Sequence, residues 1–386
     1  MPHVFPFRAI RYRPGSELAS VTAPPYDVIP PDEATRLERS HPHNIVRITL
    51  GREQADGEGG DRYSRAAGYL RKWLSSGVLV QDASPRIYLY RVDYVIEGSR
   101  HATAGLIGAL NLEPLGEGDV FPHERTTSGP KADRLALMRQ TKANLEPLWF
   151  FASAPIGGFR DLIATASRQH PLADLWDSRG IRHRLWSFPQ QDAAPVTNAL
   201  SAIPLVIADG HHRYETALDY MRERRELDGP GPWDAVLAMI SDPESFAPQV
   251  LPIHRLAKGV SLSDLPNLDP FEGDIRALAR AVRSSPERVI GVATIDGAWL
   301  MPSRGPLDTA FLADAVFGPV QAEVVYAHDL EEVEKGISDG HLAFITAPVP
   351  LDLIAQMALD GQRMPPKTTL FWPKPRSGLV MRSLEE

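Results

Sequence analysis

A four-residue apolar run that stops at an acidic residue and a glycine constrains this chain more than any other feature. Residues 205–208 read Leu-Val-Ile-Ala, as in a buried strand, and Asp209 and Gly210 follow directly. Glycine permits a sharp turn and a close approach of the backbone to a ligand. Residues 211–226 then show the apolar spacing of a helix. The segment therefore predicts a turn from a strand into a helix.

The start of this predicted helix is suited to bind an anion. The first backbone N–H groups of a helix have no partner inside it and lie at the positive end of its dipole. Arg213 adds a planar pair of donors that matches phosphate oxygens, and His211 and His212 add donors that titrate near neutral pH. We predict that phosphate binds to the turn formed by Asp209, Gly210 and these three residues. The alternative is a plain helix cap with a polar surface cluster.

Length, charge and cysteine content limit the classes of protein to consider. The chain has 386 residues, enough for two or three domains, and contains no cysteine, which excludes disulfides, thiolate zinc sites and a cysteine nucleophile. Its net charge of −8 disfavours binding to duplex DNA. We find neither a signal-peptide pattern nor an apolar run of the ~20 residues that a membrane span needs. We predict a cytoplasmic protein without a membrane or nucleic-acid partner.

The order of predicted elements indicates an α+β fold. We expect a strand at 45–50 and a hairpin whose strands, 86–96 and 101–112, are joined by a turn at Gly98-Ser99. Repeated helix–strand units begin at about residue 261. We therefore predict a mixed core domain over 1–260 with insertions and a smaller α/β domain over 261–386.

A second polar segment follows a predicted strand and is a candidate catalytic loop. His123 or Glu124 could accept a proton there, and Lys131 or Arg134 could meet phosphate charge. The alternative is a solvated connection between a strand and a helix.

Two proline-rich segments add further candidates. Asp27 follows two prolines, which hold its carboxylate on a stiff backbone suited to Mg²⁺ ligation or to a general base, although an ordinary turn explains it equally well. Lys367 follows Pro365-Pro366 and is a candidate phosphate contact, with a strand lead-in as the alternative. Adjacent histidines on a helix diverge by about 100° and share one metal poorly, so we predict Mg²⁺ brought by a nucleotide and held by Asp27 and Asp209.

Several well-known catalytic motifs are missing from the sequence. There is no Gly-x-x-x-x-Gly-Lys-Ser/Thr loop, no Gly-x-Gly-x-x-Gly after a strand, and no Gly-x-Ser-x-Gly elbow. These observations exclude a P-loop enzyme and leave the Rossmann interpretation without support.

Four motifs, taken in order along the chain, resemble the DUF1015 family. They are Pro-Pro-Tyr-Asp-Val at 24–28, Pro-His-Glu-x-Thr at 122–126, Asp-Gly-His-His-Arg-Tyr at 209–214 and Met-Pro-Pro-Lys at 364–367. The third motif also resembles the second box of the ParB/sulfiredoxin superfamily, in which a Gly-x-x-Arg turn holds nucleotide phosphates. His211 stands where sulfiredoxin has its cysteine, so sulfinic-acid reduction by that route is not available. No DNA-reading helix-turn-helix follows the box.

The free-serine kinases of that superfamily have a turn similar to Asp-Gly-His-His-Arg, and this resemblance implies nucleotide-dependent phosphoryl transfer. We predict a ParB/sulfiredoxin-like core that moves a phosphoryl group from ATP or ADP to a small hydroxyl compound such as serine. Gly210 would hold the donor phosphates, and Arg213 and His212 would stabilise the transferred group. Glu124 or Asp27 would accept the proton.

The remaining charges in this prediction would be neutralised by Lys131 and Lys367. Three alternatives stay open: a phosphatase or nucleotide hydrolase, a ParB-like nucleotide-binding regulatory protein, and a structural partner without a ligand. A homodimer is compatible with each of them.

Overall fold

The computed structural model of the chain describes residues 1–52, 60–125 and 129–385. Contacts between Cα atoms divide it into two units. The first comprises Met1–Pro248 together with Pro373–Glu386, and the second comprises Gln249–Trp372.

The strands alternate with helices along most of the chain. They are β1 Val4–Phe5, β2 Ala9–Tyr12, β3 Leu79–Gln81, β4 Ile87–Ile96, β5 Ser99–Asn111, β6 Val120–Pro122, β7 Ala143–Asn144, β8 Leu148–Ala152, β9 Ala173–Trp176, β10 Arg182–Phe188, β11 Leu205–Asp209, β12 Ala235–Ser241, β13 Gln249–Pro252, β14 His254–Lys258, β15 Asp269–Phe271, β16 Val289–Ala293, β17 Ala298–Pro302, β18 Glu323–Ala327, β19 Leu342–Ile345, β20 Thr369–Trp372 and β21 Met381–Ser383.

The helices vary from single turns to five turns. They are α1 Leu18–Val21, α2 Pro31–Ser40, α3 Val46–Thr49, α4 Arg62–Ser75, α5 Gly129–Thr141, α6 Phe159–Ser167, α7 Gln190–Leu200, α8 His211–Asp228, α9 Ile275–Ser284, α10 Asp308–Phe311, α11 Gly318–Val320, α12 Leu330–Ser338 and α13 Leu351–Leu359.

The first unit is built on a mixed sheet of nine strands within the described residues. Its order is β6-β11-β8-β12-β5-β4-β10-β9, and β1 pairs with β5. β11 runs parallel to β6, and β12 runs parallel to β8, whereas the other pairs are antiparallel. Residues 148–152 of β8 are all buried, and Leu148, Phe150 and Ala152 belong to the core to which α6 and α8 contribute.

A smaller sheet carries the C-terminal segment back into the first unit. Its order is β3-β2-β21-β7, so the last strand of the chain lies between β2 and β7. α3 and α4 close the associated core around Trp73, which is 2% exposed.

The second unit contains a sheet of six strands in its described residues, in the order β15-β17-β16-β19-β14-β18. All of its pairs are antiparallel. β13 and β20 form a separate two-stranded sheet. None of the helices in 1–52, 60–125 and 129–385 combines the length and the apolar character needed to cross a bilayer.

The predicted α+β class is confirmed, while several local predictions need correction. Residues 45–50 are not a strand, since Val46–Thr49 forms the short helix α3. The hairpin of β4 and β5 exists, but its turn is one residue earlier than predicted. Glu97 and Gly98 have φ values of 49° and 80°, and positive φ at both central residues is the requirement of a type I′ turn. The contact-based units divide at Pro248/Gln249 and assign Pro373–Glu386 to the first unit, and the domain boundary at 260/261 stays a prediction.

Two glycines differ in the space around them, and we expect opposite effects on stability when each is replaced by alanine. A Cβ at Gly108 would collide with Cγ1 of Val4 and lie 3.2 Å from the carbonyl oxygen of Phe5. We expect Gly108→Ala to lower the free energy of unfolding by about 1–3 kcal/mol, as overpacking does. Gly68 lies in α4 with open space around its Cα. We expect Gly68→Ala to raise stability by roughly 0.5–1 kcal/mol.

Urea unfolding of both variants beside the wild type measures these two effects. Equal stability of Gly108→Ala and wild type would contradict the packing described for β1 and β5.

Candidate functional site

The candidate site begins where β11 ends and β8 starts. The two strands are antiparallel neighbours, so the last residue of one lies beside the first residues of the other, and Asp209 pairs with Trp149. The register shifts between Ile207 and Asp209, which marks an irregularity at the end of β11. Glu146 precedes β8 by two residues and is buried, with 7% exposure. Asp209 and Glu146 are 63 residues apart in the sequence, and the sheet places both at the same end of these two neighbouring strands.

The chain leaves β11 through a glycine that no other residue could replace without strain. Gly210 is the N-cap of α8 and has a φ of 100°. A Cβ there would lie 3.1 Å from Nη2 and 3.2 Å from Nε of Arg213, and 3.2 Å from Cγ of Leu148. Glycine has no side chain with which to cap the amides of the first turn. This corner therefore places the positive end of the helix dipole beside Asp209.

Asp209 has 15% of its side chain exposed and is held between two cations. Its Oδ2 accepts a hydrogen bond from Nη2 of Arg213 at 2.7 Å, and its Oδ1 pairs with Nζ of Lys374 at 2.5 Å. Burial by itself would raise the pKa of Asp209, but the charges of Lys374 and Arg213 outweigh it and lower this pKa to about 2. Asp209 is therefore ionised throughout the physiological range.

Lys374 joins Asp209 to Asp27. Its ammonium also donates to Oδ2 of Asp27, and its side chain is only 10% exposed. Burial would lower the pKa of Lys374, but the two carboxylates raise it above its ordinary value, so Lys374 stays protonated. Asp27 has 37% of its side chain exposed and is the member of this trio that solvent reaches most easily.

Arg213 extends the chain of charges to Glu146. Its Nη1 lies 3.4 Å from Oε2 of Glu146 and donates to the carbonyl oxygen of Pro147 at 3.1 Å. Glu146 also accepts hydrogen bonds from the Ser377 hydroxyl and, at 3.3 Å, from the Tyr26 amide. The guanidinium is thus committed to protein acceptors on two sides. Burial would lower its pKa, but Asp209 and Glu146 raise it.

The loop that carries Asp27 and the segment that carries Lys374 are tied together by backbone and side-chain bonds. Ala23 and Ser377 exchange backbone hydrogen bonds at 3.3 Å and 2.9 Å. Arg376 donates to the hydroxyl and to the carbonyl oxygen of Thr22, both at 2.8 Å, and its amide donates to the hydroxyl of Tyr90. These bonds position the carboxylate of one segment against the ammonium of the other.

Arg134, a predicted phosphate contact, packs against Tyr26 in the loop that carries Asp27. Its guanidinium lies 4.0 Å from the centroid of the Tyr26 ring and donates to the carbonyl oxygen of Thr49 at 2.8 Å. It also pairs with Asp133. A buried arginine in this arrangement fixes the aromatic residue next to Asp27.

His123 contacts His211, the first residue of α8. Their ring centroids are 4.6 Å apart, and the amide of His123 donates to Nε2 of His211 at 3.2 Å. Nδ1 of His123 lies 2.7 Å from the carbonyl oxygen of Ile207, which can only accept, so this nitrogen carries the hydrogen. His123 is 1% exposed. The predicted role of His123 as a proton acceptor stays a prediction.

In the structure Arg213 is bonded within the protein, and its predicted contact with phosphate stays a prediction. Sequence reasoning assigned its guanidinium to the transferred phosphoryl group, whereas it forms an internal ion-pair network with Asp209 and Glu146. The local motif could not reveal this, because Glu146 is contributed by a different strand. We now regard Arg213 as a residue that positions Asp209.

The structure also corrects the predicted Mg²⁺ ligands. Both oxygens of Asp209 are bonded to protein cations, and Asp27 shares the same ammonium. The positive charge that a metal ion would supply is already provided by Lys374, so these two carboxylates do not fit a protein-held Mg²⁺. Among the described residues, no cluster of three or more acidic, histidine or cysteine side chains has the geometry of a metal site.

Three other predicted residues, Lys131, His212 and Glu124, lie on or near β6, α5 and α8. Lys131 pairs with Glu215 on α8, one turn after the helix start. The carbonyl oxygen of His212 accepts a bond from the Thr216 hydroxyl at 2.8 Å within the same helix. Glu124 is half-buried directly after β6, and its predicted role stays a prediction.

Thr126 and Lys367, from the second and fourth motifs, are not part of this network as the structure describes it. Thr126 of the second motif lies outside the described residues. Lys367 belongs to the second unit, where its carbonyl oxygen accepts a hydrogen bond from Arg255 at 2.7 Å. The assignment of Lys367 to phosphate stays a prediction.

Sequence reasoning missed the two residues that complete the network, Lys374 and Glu146. Lys374 stands between Pro373 and Pro375, and Glu146 stands before Pro147 at the start of an apolar strand. A charged residue held on a proline-stiffened backbone is the same signal that identified Asp27. That signal, applied to these two positions, would have marked both residues.

The sequence matches the family model described as "Protein of unknown function (DUF1015)" over residues 4–306. The chain therefore belongs to the DUF1015 family, as its four motifs suggested. No curated protein sequence matches the chain.

Several solved structures are similar to this fold at low sequence identity. A free serine kinase in complex with AMP aligns at 14% identity over 68% of this chain and 88% of that chain, with a TM-score of 0.37. A conserved hypothetical protein from Pyrococcus furiosus aligns at 13% identity over 69% and 93%, with a TM-score of 0.36. SbnI from Staphylococcus aureus aligns at 11% identity over 71% and 86%, with a TM-score of 0.35. At these scores the alignments carry no argument about activity.

The ion-pair network predicts that Arg213 is more important for stability than a surface arginine of the same helix. Arg213→Ala leaves Asp209 and Glu146 short of one buried cation, so we expect a loss of about 3–5 kcal/mol in the free energy of unfolding. Arg222 is 59% exposed, and its ion-pair partner among the described residues is Asp219, three positions earlier in the helix. We expect Arg222→Ala to change stability by about 0.5 kcal/mol or less.

Chemical denaturation of the two variants at neutral pH compares them directly. Similar stabilities of Arg213→Ala and Arg222→Ala would show that the ion pairs of Arg213 do not stabilise the fold.

Proposed function

We propose that this DUF1015 protein is a phosphotransferase that moves a phosphoryl group from ATP or ADP to a small hydroxyl compound. One observation carries the proposal: the Lys374 ammonium links the half-exposed Asp27 carboxylate to Asp209, directly before the N-terminus of α8. A proton acceptor, a fixed cation and a helix N-terminus thus meet at one corner. Phosphoryl transfer requires these components, because its catalysis depends mainly on positioning and charge stabilisation.

The donor phosphates would bind at the start of α8. This helix has 18 residues and begins behind a glycine in the left-handed conformation, a geometry that lets a phosphate approach the backbone closely. His211 and His212 lie in its first turn and add side-chain donors. Since Arg213 is committed to carboxylates, the backbone and the histidines carry this role in the revised proposal.

Asp27 would accept the proton of the acceptor hydroxyl. The hydroxyl oxygen then forms a bond to the terminal phosphorus of the donor, the bond from that phosphorus to the bridging oxygen breaks, and ADP or AMP leaves. The proton on Asp27 passes to solvent, which its 37% exposure allows. Asp27 takes precedence over Glu124 in this proposal, because the structure gives it both a fixed cation and access to solvent.

Lys374 would stabilise the negative charge of the transferred group. It is protonated and buried, and two of its donors are held by Asp27 and Asp209. A cation whose position is fixed before the reaction needs no reorganisation when charge develops. A small hydroxyl compound such as free serine is the proposed acceptor, and water in its place would make the enzyme a nucleotide hydrolase.

Replacement of Asp27 is the direct test of the proposed proton acceptor. We expect Asp27→Asn to lower the rate of phosphoryl transfer by about 10²–10⁴, because general base catalysis contributes that much, while nucleotide affinity changes little. The amide oxygen of asparagine can still accept from Lys374, which preserves the fold. Asp32→Asn is the matched control, since Asp32 is exposed in the first turn of α2.

The assay follows transfer from labelled ATP and ADP, supplied as magnesium salts, to serine and a series of small alcohols, with phosphate release measured in parallel. Unchanged turnover in Asp27→Asn would remove Asp27 from the mechanism. Phosphate release that no alcohol diverts would replace the kinase by a hydrolase.

Substitution of Gly210 tests the proposed phosphate site independently of the chemistry. Gly210→Ala forces a strained φ and moves Arg213 or Leu148, so we expect nucleotide affinity to fall by roughly tenfold or more. Gly229 ends the same helix with a φ of 77° and has open space around it, so Gly229→Ala introduces similar strain away from the site. We expect that control to bind nucleotide as the wild type does.

Isothermal titration with ATP and ADP measures both affinities. If Gly210→Ala and Gly229→Ala bind equally well, the phosphates bind elsewhere.

A further inference from the structure

A second cleft lies in the first unit, at the other end of α8. It has a volume of about 660 Å³, which is within the range of small-molecule sites. Phe5, Phe7 and Leu112 contribute apolar surface to its wall, and Arg225 comes from the last turns of α8. Residues 211 and 225 are about 21 Å apart along the helix axis, so this cleft is separate from the corner that holds Asp209.

Arg382 on β21 lines the cleft and is more than nine-tenths buried. Its Nη1 donates to the carbonyl oxygen of Ala235 at 2.9 Å and lies 3.4 Å from Oδ1 of Asn144. Its Nη2 donates to the carbonyl oxygen of Pro232 at 2.7 Å. Each of these acceptors is neutral, and among the described residues no carboxylate forms an ion pair with Arg382.

The wall of the cleft has an excess of positive charge. Arg8, Arg225 and Arg382 line it together with one carboxylate, Asp234. That carboxylate is already bonded to Nε of Arg225 at 2.7 Å and to the amide of Gly231 at 3.1 Å. Arg382 therefore has no paired counter-charge within the part of the chain that the structure describes.

A buried charge without a partner is costly, and buried charges in proteins are normally paired. Burial accordingly lowers the pKa of Arg382 to about 10, with no opposing contribution from an acidic neighbour. Hydrogen bonds to carbonyl groups orient the guanidinium but do not neutralise it. An anion that enters the cleft would supply the missing negative charge.

We propose that this cleft binds an organic anion with an apolar body, whose carboxylate or phosphate group pairs with Arg382. The guanidinium is suited to both head groups, because it offers planar donors to paired oxygens. Phe5 and Phe7 on the wall would contact the apolar part of the ligand. The proposal does not depend on the phosphotransferase activity.

The test uses the full chain and four probes: phenylacetate, phenyl phosphate, inorganic phosphate and benzyl alcohol. We expect phenylacetate or phenyl phosphate to bind, inorganic phosphate to bind more weakly, and the neutral benzyl alcohol to show no binding. The difference between phenylacetate and phenyl phosphate identifies the head group. Isothermal titration gives each affinity.

Three variants assign the binding to the cleft. Arg382→Gln removes the charge, and Ser383→Phe fills the cleft from its wall without changing Arg382. We expect each to weaken binding by about tenfold or more. Arg222→Gln replaces an exposed arginine of α8 that does not line the cleft and is the control for net charge.

If Arg382→Gln does not fold, the affinity of Ser383→Phe for the organic anions decides whether they bind in this cleft. The proposal is overturned if neither organic anion binds the wild type, if benzyl alcohol binds as well as they do, or if Ser383→Phe binds them with unchanged affinity.

Discussion

The arrangement of the candidate site depends on one carboxylate, Asp209, that is largely shielded from solvent and is held between two cations. From Asp27 through Lys374, Asp209 and Arg213 to Glu146, negative and positive groups alternate along the network. Electrostatic interactions strengthen where water is excluded, so each member is costly to leave without its neighbours. The alternation therefore fixes the relative positions of four segments that are distant in sequence.

The order of charges also determines where chemistry can occur. Glu146 closes the buried end of the network, with hydrogen bonds from Ser377 and Tyr26. Asp27 ends the other side and is the most exposed of the five charged groups. A buried pair is held in place by its surroundings, whereas a carboxylate at the end of such a network can exchange protons with solvent. For this reason we assign the proton transfer to Asp27 rather than to the better buried acids.

The features that could be predicted from the sequence are those that a continuous segment determines. β11, Gly210 and α8 follow from an apolar run, a glycine and helical spacing, and all three are present in the structure. Residues 45–50 have the composition of a strand, but they form the helix α3 in the core around Trp73, where tertiary packing overrides the local preference. The flanking prolines could mark Lys374 as a candidate, but its pairing with Asp209 could not be predicted, since Lys374 is contributed by the C-terminal segment of the chain.

Charge balance, more than the presence of a motif, decides which guanidinium can meet an anion. Arg213 belongs to the motif that indicates phosphate binding, yet two carboxylates neutralise it. Arg382 belongs to no motif, and within the described residues its hydrogen bonds reach neutral acceptors beside an open cleft. Arg213 has 11% of its side chain exposed and Arg382 is 7% exposed, and each donates hydrogen bonds to protein acceptors, so hydrogen bonding alone would treat them alike. The difference lies in the uncompensated charge, and that difference favours an anionic ligand at Arg382 and a positioning role for Arg213.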